Sequence, residues 1–432
     1  MGNTYRIITY GCQMNIHESE KIAGLLENAG YTEANESDPA AVVVLNTCCV
    51  RESAETHVLG NLGALKKQWE KYGTKIIVCG CMTQANGTAQ KLKERCPFLF
   101  AVLGTHNIER IPALLLENSK KTLVEIKEEG VMHEGTPVKR AKDVNAWVNI
   151  MYGCNNFCTY CIVPYVRGRE RSREKEHILA EIKNLIASGY TQITLLGQNV
   201  NSYDIDLHGK PMFASLLSQI ADLDGTFRIK FMTSHPKDLD KDVVSVIAQS
   251  EKLSKFIHLP AQSGSDRVLH LMNRKYTRAE YLKKIDMIRE KIPNAGLSAD
   301  LMVGFPTESE EDFQDTLSLA DTVRYNNLYT FIYSPRSGTP AATMDGQIPL
   351  ADKKRRIQEL IDLQFEIGNA LAAESVGKTY TVLAAESKNG HILGETECGK
   401  AVTFDGDASL IGKFVRVKIT QSKNSKLFGE VL

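Results

Sequence analysis

The sharpest chemical signal in this sequence is a group of three cysteines at the spacing C-x3-C-x2-C: Cys154, Cys158 and Cys161. Three thiolates so close along the chain can hold an iron–sulfur cluster and leave one of its irons without a protein ligand. An open position of this kind makes a metal site catalytic rather than structural. A zinc site with a distant fourth ligand, or chance, is the alternative. Tyr160, directly before the third cysteine, and the strand–helix repeats that follow favour the cluster.

A second set of cysteines is scattered along the chain, but each member directly follows a predicted strand. The pairs are Cys12 after Tyr5–Tyr10, Cys48 after Val42–Asn46, and Cys81 after Lys75–Cys79. The carboxyl ends of parallel strands emerge along one edge of a sheet, where open α/β folds place their sites. We therefore expect these three thiols to converge in space. The alternative is that they are structural, because free cysteines are commonly buried.

The elements that must position these cysteines are alternating strands and amphipathic helices. In the first segment, β-branched runs alternate with helical patterns, which favours a parallel sheet flanked by helices. Six more strands alternate with helices further along: Ala146–Met151, Gln192–Leu196, Arg228–Met232, Phe256–Leu259, Gly296–Val303 and Leu328–Tyr333. A closed eightfold barrel typically needs about 250 residues, so six repeats predict a partial α/β barrel.

The remaining segments complete the predicted organisation. The charged stretch Glu125–Lys142 contains Gly130 and Gly135 without a strong period, which is typical of a linker, and Ala351–Ala373 predicts one long helix. Five short runs then predict a small β-barrel: Tyr380–Ala384, His391–Gly394, Ala401–Phe404, Phe414–Ile419 and Leu427–Leu432. The domain boundaries we expect are 1–122, 140–370 and 373–432.

Composition excludes several classes of protein. With 43% hydrophobic residues, and 52 basic against 52 acidic residues, the chain is neither a disordered tail nor a polycation that binds any nucleic acid. The start of the chain lacks the pattern of a signal peptide, and the longest apolar run, Ala40–Leu45, is too short to span a membrane. We expect a cytoplasmic protein with no membrane partner, in which ten cysteines do not form a disulfide framework.

The segment Gly153–Cys161, followed by the six repeats, resembles the radical S-adenosylmethionine (SAM) superfamily. The resemblance implies that Cys154, Cys158 and Cys161 ligate a [4Fe-4S] cluster whose open iron binds the amino and carboxylate groups of SAM. An electron from the cluster then cleaves SAM to a 5′-deoxyadenosyl radical. Tyr160 is implied to pack near the adenine.

The turns that carry the scattered cysteines resemble the amino-terminal domain of the methylthiotransferases. They are Tyr10–Asn15, Asn46–Arg51 and Cys79–Met82, and the later runs Val163–Gly168, His258–Arg267, Asp300–Pro306 and Tyr333–Pro340 support the same family. The resemblance implies a second, auxiliary [4Fe-4S] cluster on Cys12, Cys48 and Cys81. We expect Cys79 to lie in the core, and Cys49 to point away from Cys48 if the chain is extended there. Cys96 and Cys398 have no cysteine partner at motif spacing and are most simply structural.

Candidate SAM contacts lie at later strand ends, where the same pocket is expected. They are Gly197, Gln198, Gln262, Ser263 and Asp300, in addition to Tyr160. The alternative for each is an ordinary turn or helix-capping residue, a role that Ser and Asp favour strongly.

Two basic clusters point to RNA despite the zero net charge. The first lies beside the radical motif and contains Arg167, Arg169, Arg171 and Arg173; the second lies in the terminal barrel and contains Lys413, Arg416, Lys418, Lys423 and Lys426. Such residues suit phosphates and can stack on extruded bases. The alternative is a solvated face or intramolecular ion pairs. The terminal barrel also resembles a TRAM domain, an RNA-binding module.

The predicted fold is α/β: an N-terminal parallel-sheet domain, a central partial (β/α)6 radical SAM barrel and a small antiparallel β-barrel that is TRAM-like. Within the family, the turns Gly11–Asn15 and Asn46–Glu52 and the run Arg167–Arg173 are closest to the type that acts on isopentenylated adenosine in tRNA. The implied reaction inserts a methylthio group at C2 of that adenosine, with one SAM as radical source and another as methyl donor.

Several points stay open at this stage. The substrate could instead be threonylcarbamoyl-adenosine in tRNA or an aspartate of a ribosomal protein. A non-catalytic iron–sulfur protein that binds RNA and senses redox state is the alternative from another class. For the enzyme, we expect a flavodoxin-like or ferredoxin-like electron donor and a monomeric chain.

Overall fold

The computed structural model describes the chain except residues 1, 36–37, 50–51, 118, 120, 131–133 and 142, and the side chains of 52–57. Parts of two segments named above, Asn46–Arg51 and Glu125–Lys142, therefore lie outside the described residues. Three bodies follow one another: a parallel α/β sheet, a partial α/β barrel and a closed five-stranded barrel. No helix within the described residues is long and apolar enough to cross a membrane.

The N-terminal domain is a six-stranded parallel sheet in the order β2-β1-β3-β4-β5-β6. Its strands are β1 (Thr4–Thr9), β2 (Thr32–Glu33), β3 (Val42–Thr47), β4 (Lys75–Gly80), β5 (Ala101–Leu103) and β6 (Leu123–Glu125). Its helices are α1 (Gln13–Asn28), α2 (Glu52–Tyr72), α3 (Cys81–Gln84), α4 (Thr88–Arg95) and α5 (Ile111–Leu115). The three predicted strands are confirmed. The strands β2, β5 and β6 were not predicted, because two or three residues are too few to show the alternation of a strand.

The central domain contains the six predicted parallel strands and a two-stranded addition. The strands are β7 (Asn145–Asn149), β8 (Met151–Tyr152), β9 (Arg171–Ser172), β10 (Gln192–Leu196), β11 (Arg228–Phe231), β12 (Phe256–His258), β13 (Gly296–Val303) and β14 (Asn327–Ile332). Six of them form two sheets, β11-β10-β7 and β12-β13-β14, which a parallel bridge from Ile229 to Leu253 joins, and β8 pairs with β9 in a separate two-stranded sheet. Among the described residues no bridge joins β7 to β14, so the barrel is open on that side.

The helices of this domain lie mainly on the outer face of the half-barrel, except the first, which packs against the N-terminal core through Val166. They are α6 (Val163–Arg167), α7 (Lys175–Ala187), α8 (Ile205–His208), α9 (Phe213–Ala221), α10 (Lys241–Gln249), α11 (Asp266–Leu271), α12 (Arg278–Lys291), α13 (Glu310–Val323) and α14 (Leu350–Ala373). Capping boxes at Thr277 and Ser309 begin α12 and α13, because each hydroxyl accepts a hydrogen bond from a backbone N–H that the helix leaves unpaired. Alternate apolar residues of the strands pack under these helices in one core.

The terminal domain is a closed barrel of β15 (Thr379–Lys388), β16 (His391–Thr396), β17 (Ala401–Asp405), β18 (Phe414–Lys423) and β19 (Lys426–Val431). Four of its strand pairings are antiparallel, as predicted, and the remaining pairing, β17 with β19, is parallel. Its interior is apolar and includes Val382, Phe404 and Val417.

One turn of the terminal barrel packs against the amino ends of the central strands. The Arg228 guanidinium donates to the Glu395 carbonyl at 2.8 Å, Lys230 pairs with the Glu395 carboxylate at 2.6 Å, and the Lys255 N–H donates to the Glu397 carbonyl at 2.7 Å. These contacts fix the terminal barrel against the amino ends of the central strands.

The described part of the predicted linker packs closely on its neighbours. Lys139 pairs with Glu27 at 2.6 Å, and Arg140 pairs with Glu20 of α1 at 3.1 Å and with Glu181 of α7 at 2.5 Å. Arg140 therefore joins the N-terminal domain to the half-barrel through ion pairs to both.

Candidate functional site

A single cavity of about 340 Å³ lies where the N-terminal sheet meets the top of the half-barrel. Its walls include all six cysteines that the sequence predicts as ligands. They are Cys12, Cys48 and Cys81 from the N-terminal domain, called the sheet triad below, and Cys154, Cys158 and Cys161 from the barrel domain, called the loop triad.

The sheet triad converges as the topology predicts. Strands β1, β3 and β4 are neighbours in the sheet, and each cysteine follows the carboxyl end of one of them. Gly11 makes the close approach possible, because a Cβ at that position would overlap the Cys48 side chain, with its sulfur only 2.8 Å away. Gly11 also has a φ of +114°, which glycine adopts without strain.

Two thiols of the sheet triad, Cys12 and Cys81, have surroundings that favour the thiolate. A hydrogen bond from the Cys48 thiol, with a contribution from the Arg167 guanidinium, lowers the pKa of Cys12 to about 6. The Cys49 thiol, again with Arg167, lowers the pKa of Cys81. Because the thiolate is the metal-binding form, these shifts prepare the site for iron.

Cys49 and Cys79 lie within two residues of members of the sheet triad, but their surroundings differ. The extended chain on which the Cys49 prediction depended is not found: Cys48 and Cys49 both line the cavity, and Cys49 is hydrogen-bonded to Cys81. The chain bends after β3 ends at Thr47, so strand alternation no longer applies there. Cys79 is fully buried in an apolar cluster, as predicted.

The loop triad lies on the segment between β8 and α6, and side chains from the barrel hold this segment in place. The Gly153 N–H donates to the Gln198 amide oxygen at 2.5 Å, and the Asn273 amide donates to the Phe157 carbonyl at 3.0 Å. Phe157 itself has a φ of +48°, unusual for a bulky residue and common where a functional loop is held by its surroundings.

Arg274 is the cation beside the loop triad, and sequence reasoning missed it. Its guanidinium donates to the Cys158 sulfur at 3.6 Å and to the Pro260 carbonyl at 2.6 Å. Burial raises the pKa of Cys154 to about 11 and of Cys161 to about 12. Binding of iron at this triad therefore displaces thiol protons.

The donor sets fit iron–sulfur clusters better than single metal ions. Among the described residues, no three His, Cys, Asp or Glu side chains come close enough to hold one ion. A [4Fe-4S] cluster spreads its irons over a cube, and each cysteine needs to reach only one iron. Two sets of three soft sulfur donors facing one cavity fit two such clusters, each with one open iron.

Most of the residues predicted to contact SAM line this cavity. They are Tyr160, Gly197, Gln198, Gln262 and Asp300. Ser263 does not: it is 1% exposed, accepts a hydrogen bond from the Ser265 N–H and lies 3.3 Å from the Thr316 hydroxyl. Its side chain is directed to the helix layer, so the predicted contact to SAM is not available.

Two of these residues also shape the cavity wall. The Gln198 side chain is engaged with Gly153 on one side and lies 2.7 Å from the Met14 sulfur on the other, so it ties the loop triad to the N-terminal domain. Gln262 has a φ of +69°, and its N–H donates to the Asp300 carbonyl at 2.8 Å. This left-handed turn directs the chain along the cavity at the end of β12.

His235 is a further cavity residue that the sequence reasoning did not name. It is buried, its Nε2 has no hydrogen-bond partner among the described residues, and burial lowers its pKa to about 2. A neutral imidazole with a free ring nitrogen can bond to a ligand in the cavity. Its position after the strand Arg228–Phe231 was the available signal, since the same strand-end argument identified the sheet triad.

The structure separates the four arginines predicted to contact RNA. Arg167 is 4% exposed and pairs with Glu18 at 2.6 Å, while Arg173 is 8% exposed and pairs with Glu134 and Glu181. These two form intramolecular ion pairs, so the predicted RNA contact is wrong for them. Arg171 is half-buried and donates to the Arg167 carbonyl at 3.2 Å. Arg169 is exposed, with its guanidinium 4.3 Å from the centre of the Phe157 ring.

The five basic residues of the terminal barrel that the sequence predicts as RNA contacts are all exposed. They are Lys413, Arg416, Lys418, Lys423 and Lys426. Arg416 and Lys418 alternate with the buried Val417 and Ile419 along β18, so they share the outer face of the barrel. This face is accessible to a phosphate backbone.

Three family descriptions match successive parts of the chain. Residues 4–104 match "Uncharacterized protein family UPF0004", residues 148–320 match the radical SAM superfamily and residues 373–432 match the TRAM domain. The methyltransferase TsrM from Kitasatospora setae, a radical SAM enzyme, has a similar fold. The TM-score is 0.57 at 12% identity, over 79% of this chain and 77% of that one.

Curated relatives are similar along the whole chain. A tRNA-2-methylthio-N(6)-dimethylallyladenosine synthase from Carboxydothermus hydrogenoformans is 49% identical over 99% of this chain and 98% of its own length. Proteins of the same name from Clostridium beijerinckii and Desulforamulus reducens are 49% and 47% identical, over 98% and 99% of this chain and 95% of each relative. With its two cysteine triads on one cavity, the chain belongs to this radical SAM family of tRNA methylthiotransferases.

Proposed function

We propose that this protein inserts a methylthio group at C2 of N6-isopentenyladenosine in tRNA, next to the anticodon. The observation that carries the proposal is the shared cavity, because it opens both cysteine triads to the same bound molecule. C2 of adenine has no useful acidity, so acid–base catalysis cannot activate it, whereas an alkyl radical can abstract its hydrogen. The relatives named above carry this substrate in their names.

We propose two [4Fe-4S] clusters, one on each triad, with SAM bound at the loop triad. When bound, the cluster on the loop triad would pass on the electron that cleaves SAM, the auxiliary cluster would handle the sulfur to be inserted, and a second SAM would supply the methyl group. The chain's part is to hold and enclose them. Gln198 fixes the loop triad, Arg274 places a positive charge at Cys158, and the packed wall limits access of water that would quench a radical.

The RNA is proposed to reach the cavity along surfaces that the structure leaves exposed. The outer face of the terminal barrel, with Arg416 and Lys418, suits phosphates, and Arg169 lies beside the loop triad. The adenosine must leave its stack to enter, at a cost of about a few kcal/mol. A flavodoxin-like or ferredoxin-like reductant, a monomeric chain and a cytoplasmic location complete the proposal.

The test is to incubate the reconstituted, reduced protein with SAM and anticodon stem-loops that carry isopentenyladenosine, threonylcarbamoyl-adenosine or plain adenosine. Mass spectrometry should show one methylthio group in place of one hydrogen on the isopentenylated RNA only. Modification of the threonylcarbamoyl RNA, or of a ribosomal protein in a parallel reaction, would transfer the activity to that substrate. Absence of 5′-deoxyadenosine under good reducing conditions would contradict the proposed radical SAM activity. It would favour a non-catalytic protein that binds RNA and senses redox state.

A further inference from the structure

Two large aromatic side chains on the last strand of the half-barrel are unusually exposed. Tyr329 is 44% exposed and Phe331 is 41% exposed, and both belong to β14. As alternate residues of one strand they share a face. The intervening positions pack elsewhere: Leu328 and Ile332 contact the core under the helices.

The register shows which face the two aromatics share. Tyr329 pairs with Asp300 and Phe331 with Met302 on the neighbouring strand β13. Asp300 lines the cavity, and so does His258, whose ring lies 5.8 Å from the Tyr329 ring in an edge-to-face arrangement. The aromatic pair therefore looks into the half-barrel, beside the cavity that holds the two triads.

The open edge of the barrel explains why these side chains stay exposed. In a closed α/β barrel, inward side chains fill the interior in layers. Here β14 is an end strand, and no bridge to β7 is present among the described residues, so the inner face of β14 lacks a facing strand. Exposed aromatic surface in such a place is typical of a ligand-binding groove.

We propose that Tyr329 and Phe331 bind the apolar N6 substituent of the substrate adenosine and select prenylated over unmodified adenosine. The inference rests on the proposed function, which brings an isopentenyl group to this cavity. Two aromatic faces suit a branched hydrocarbon chain, and they continue directly from the cavity wall at Asp300. A negatively charged substituent would suit the groove poorly, because the Asp300 carboxylate would repel it. Lys230 offers it no free positive charge, since its ammonium group is already paired with the Glu395 carboxylate.

The test compares the affinity of the holoenzyme for two anticodon stem-loops, one with isopentenyladenosine and one with adenosine. The wild type should bind the isopentenylated RNA more tightly. Phe331→Ser should weaken that binding by about tenfold or more, since a single methylene in an apolar pocket is worth about 10-fold or more. The affinity of the Phe331→Ser variant for the adenosine RNA should stay unchanged. Phe331→Leu should keep most of the preference, and Tyr329→Ser should lose it.

The matched control is Phe365→Ser, because Phe365 is 52% exposed on α14, on the outside of the barrel domain. This variant should bind both RNAs as the wild type does. Iron content should be unchanged in every variant, which shows that the cluster sites stay folded, and Phe365→Ser should also cleave SAM as the wild type does.

Two results would overturn the inference. One is a wild-type preference that persists in Phe331→Ser and Tyr329→Ser; the other is an equal loss of affinity for both RNAs, which would assign these residues to general RNA contacts. Product formation by the wild type is recorded separately. If it fails while the aromatic-dependent preference holds, the proposed reaction is wrong and the prenyl site stands.

Discussion

The two cysteine triads reach the same cavity by opposite routes. The loop triad lies within eight consecutive residues, and that loop is held by a hydrogen bond from the Gly153 N–H to Gln198 and by one from Asn273 to the Phe157 carbonyl. The sheet triad gathers Cys12, Cys48 and Cys81 through the order of three parallel strands. A motif search finds the first kind of site, whereas the second becomes visible only when the strands are placed in a sheet.

The charges beside the two triads also differ. Arg167, beside the sheet triad, is neutralised by Glu18 at 2.6 Å and also donates to Asn15 at 3.0 Å. Arg274, beside the loop triad, donates to a carbonyl, a phenol oxygen and the Cys158 sulfur, and forms no ion pair with a carboxylate in the described part of the chain. The loop triad thus has an uncompensated cation for an anionic cluster, while the sheet triad has a cation that also joins two domains.

The largest effect should come from removing the loop triad. In the combined Cys154→Ala, Cys158→Ala and Cys161→Ala variant, SAM cleavage should vanish, because no thiolates remain to hold the cluster that contacts SAM. Detection of 5′-deoxyadenosine after reduction measures this. The combined Cys12→Ala, Cys48→Ala and Cys81→Ala variant is the comparison: it should still cleave SAM but insert no sulfur. Equal loss of cleavage in both variants would contradict separate tasks for the triads.

The two buried arginines should differ in their contribution to stability. Arg167→Met leaves Glu18 buried without its partner and should lower the free energy of unfolding by about 3–5 kcal/mol. In the protein without iron, Arg274→Met leaves only neutral groups unpaired, which costs about 1–3 kcal/mol. Urea unfolding of the two variants measures the difference. Adding Glu18→Gln to Arg167→Met should restore part of the loss; no restoration would mean that the ion pair is not the cause.

Replacing a single glycine should impair the sheet triad and leave the loop triad working. Gly11→Ala places a methyl group against Cys48 and should reduce bound iron by about half while SAM cleavage continues. Gly30→Ala is the control, since Gly30 also has a positive φ but no atom within 4 Å of the added methyl group. That variant should cost only about 1 kcal/mol in backbone strain and keep all its iron. Equal iron loss in both would show that strain, not crowding at Cys48, is responsible.

The smallest effect concerns RNA. Lys418→Ala should weaken stem-loop binding modestly and reduce the slope of log affinity against log salt by about 0.7 to 0.9, the value of one phosphate contact. Lys91→Ala, on an exposed position of α4 in the N-terminal domain, should leave the slope unchanged. A slope equal to the wild type in Lys418→Ala would remove this face of the terminal barrel from the RNA path.

The sequence predicted local features better than distant pairings. Strand β13 is found at Gly296–Val303, as predicted, because its apolar run is bounded by turns. Arg167 was misassigned because its partner Glu18 lies 149 residues earlier in the chain, where no local pattern connects the two. Cys49 was misassigned because alternation was extended past the end of a strand. Arg274 carried no motif at all, and only the fold brings it to Cys158.

Iron content tests the central claim most directly, namely that two independent cluster sites share one cavity. The reconstituted wild type should bind about eight iron atoms, and each triple-alanine variant about four. Cys79→Ala, a change at a buried core cysteine, should still bind about eight. A wild type with about four iron atoms, or a loop-triad variant that keeps as much iron as the wild type, would contradict the account.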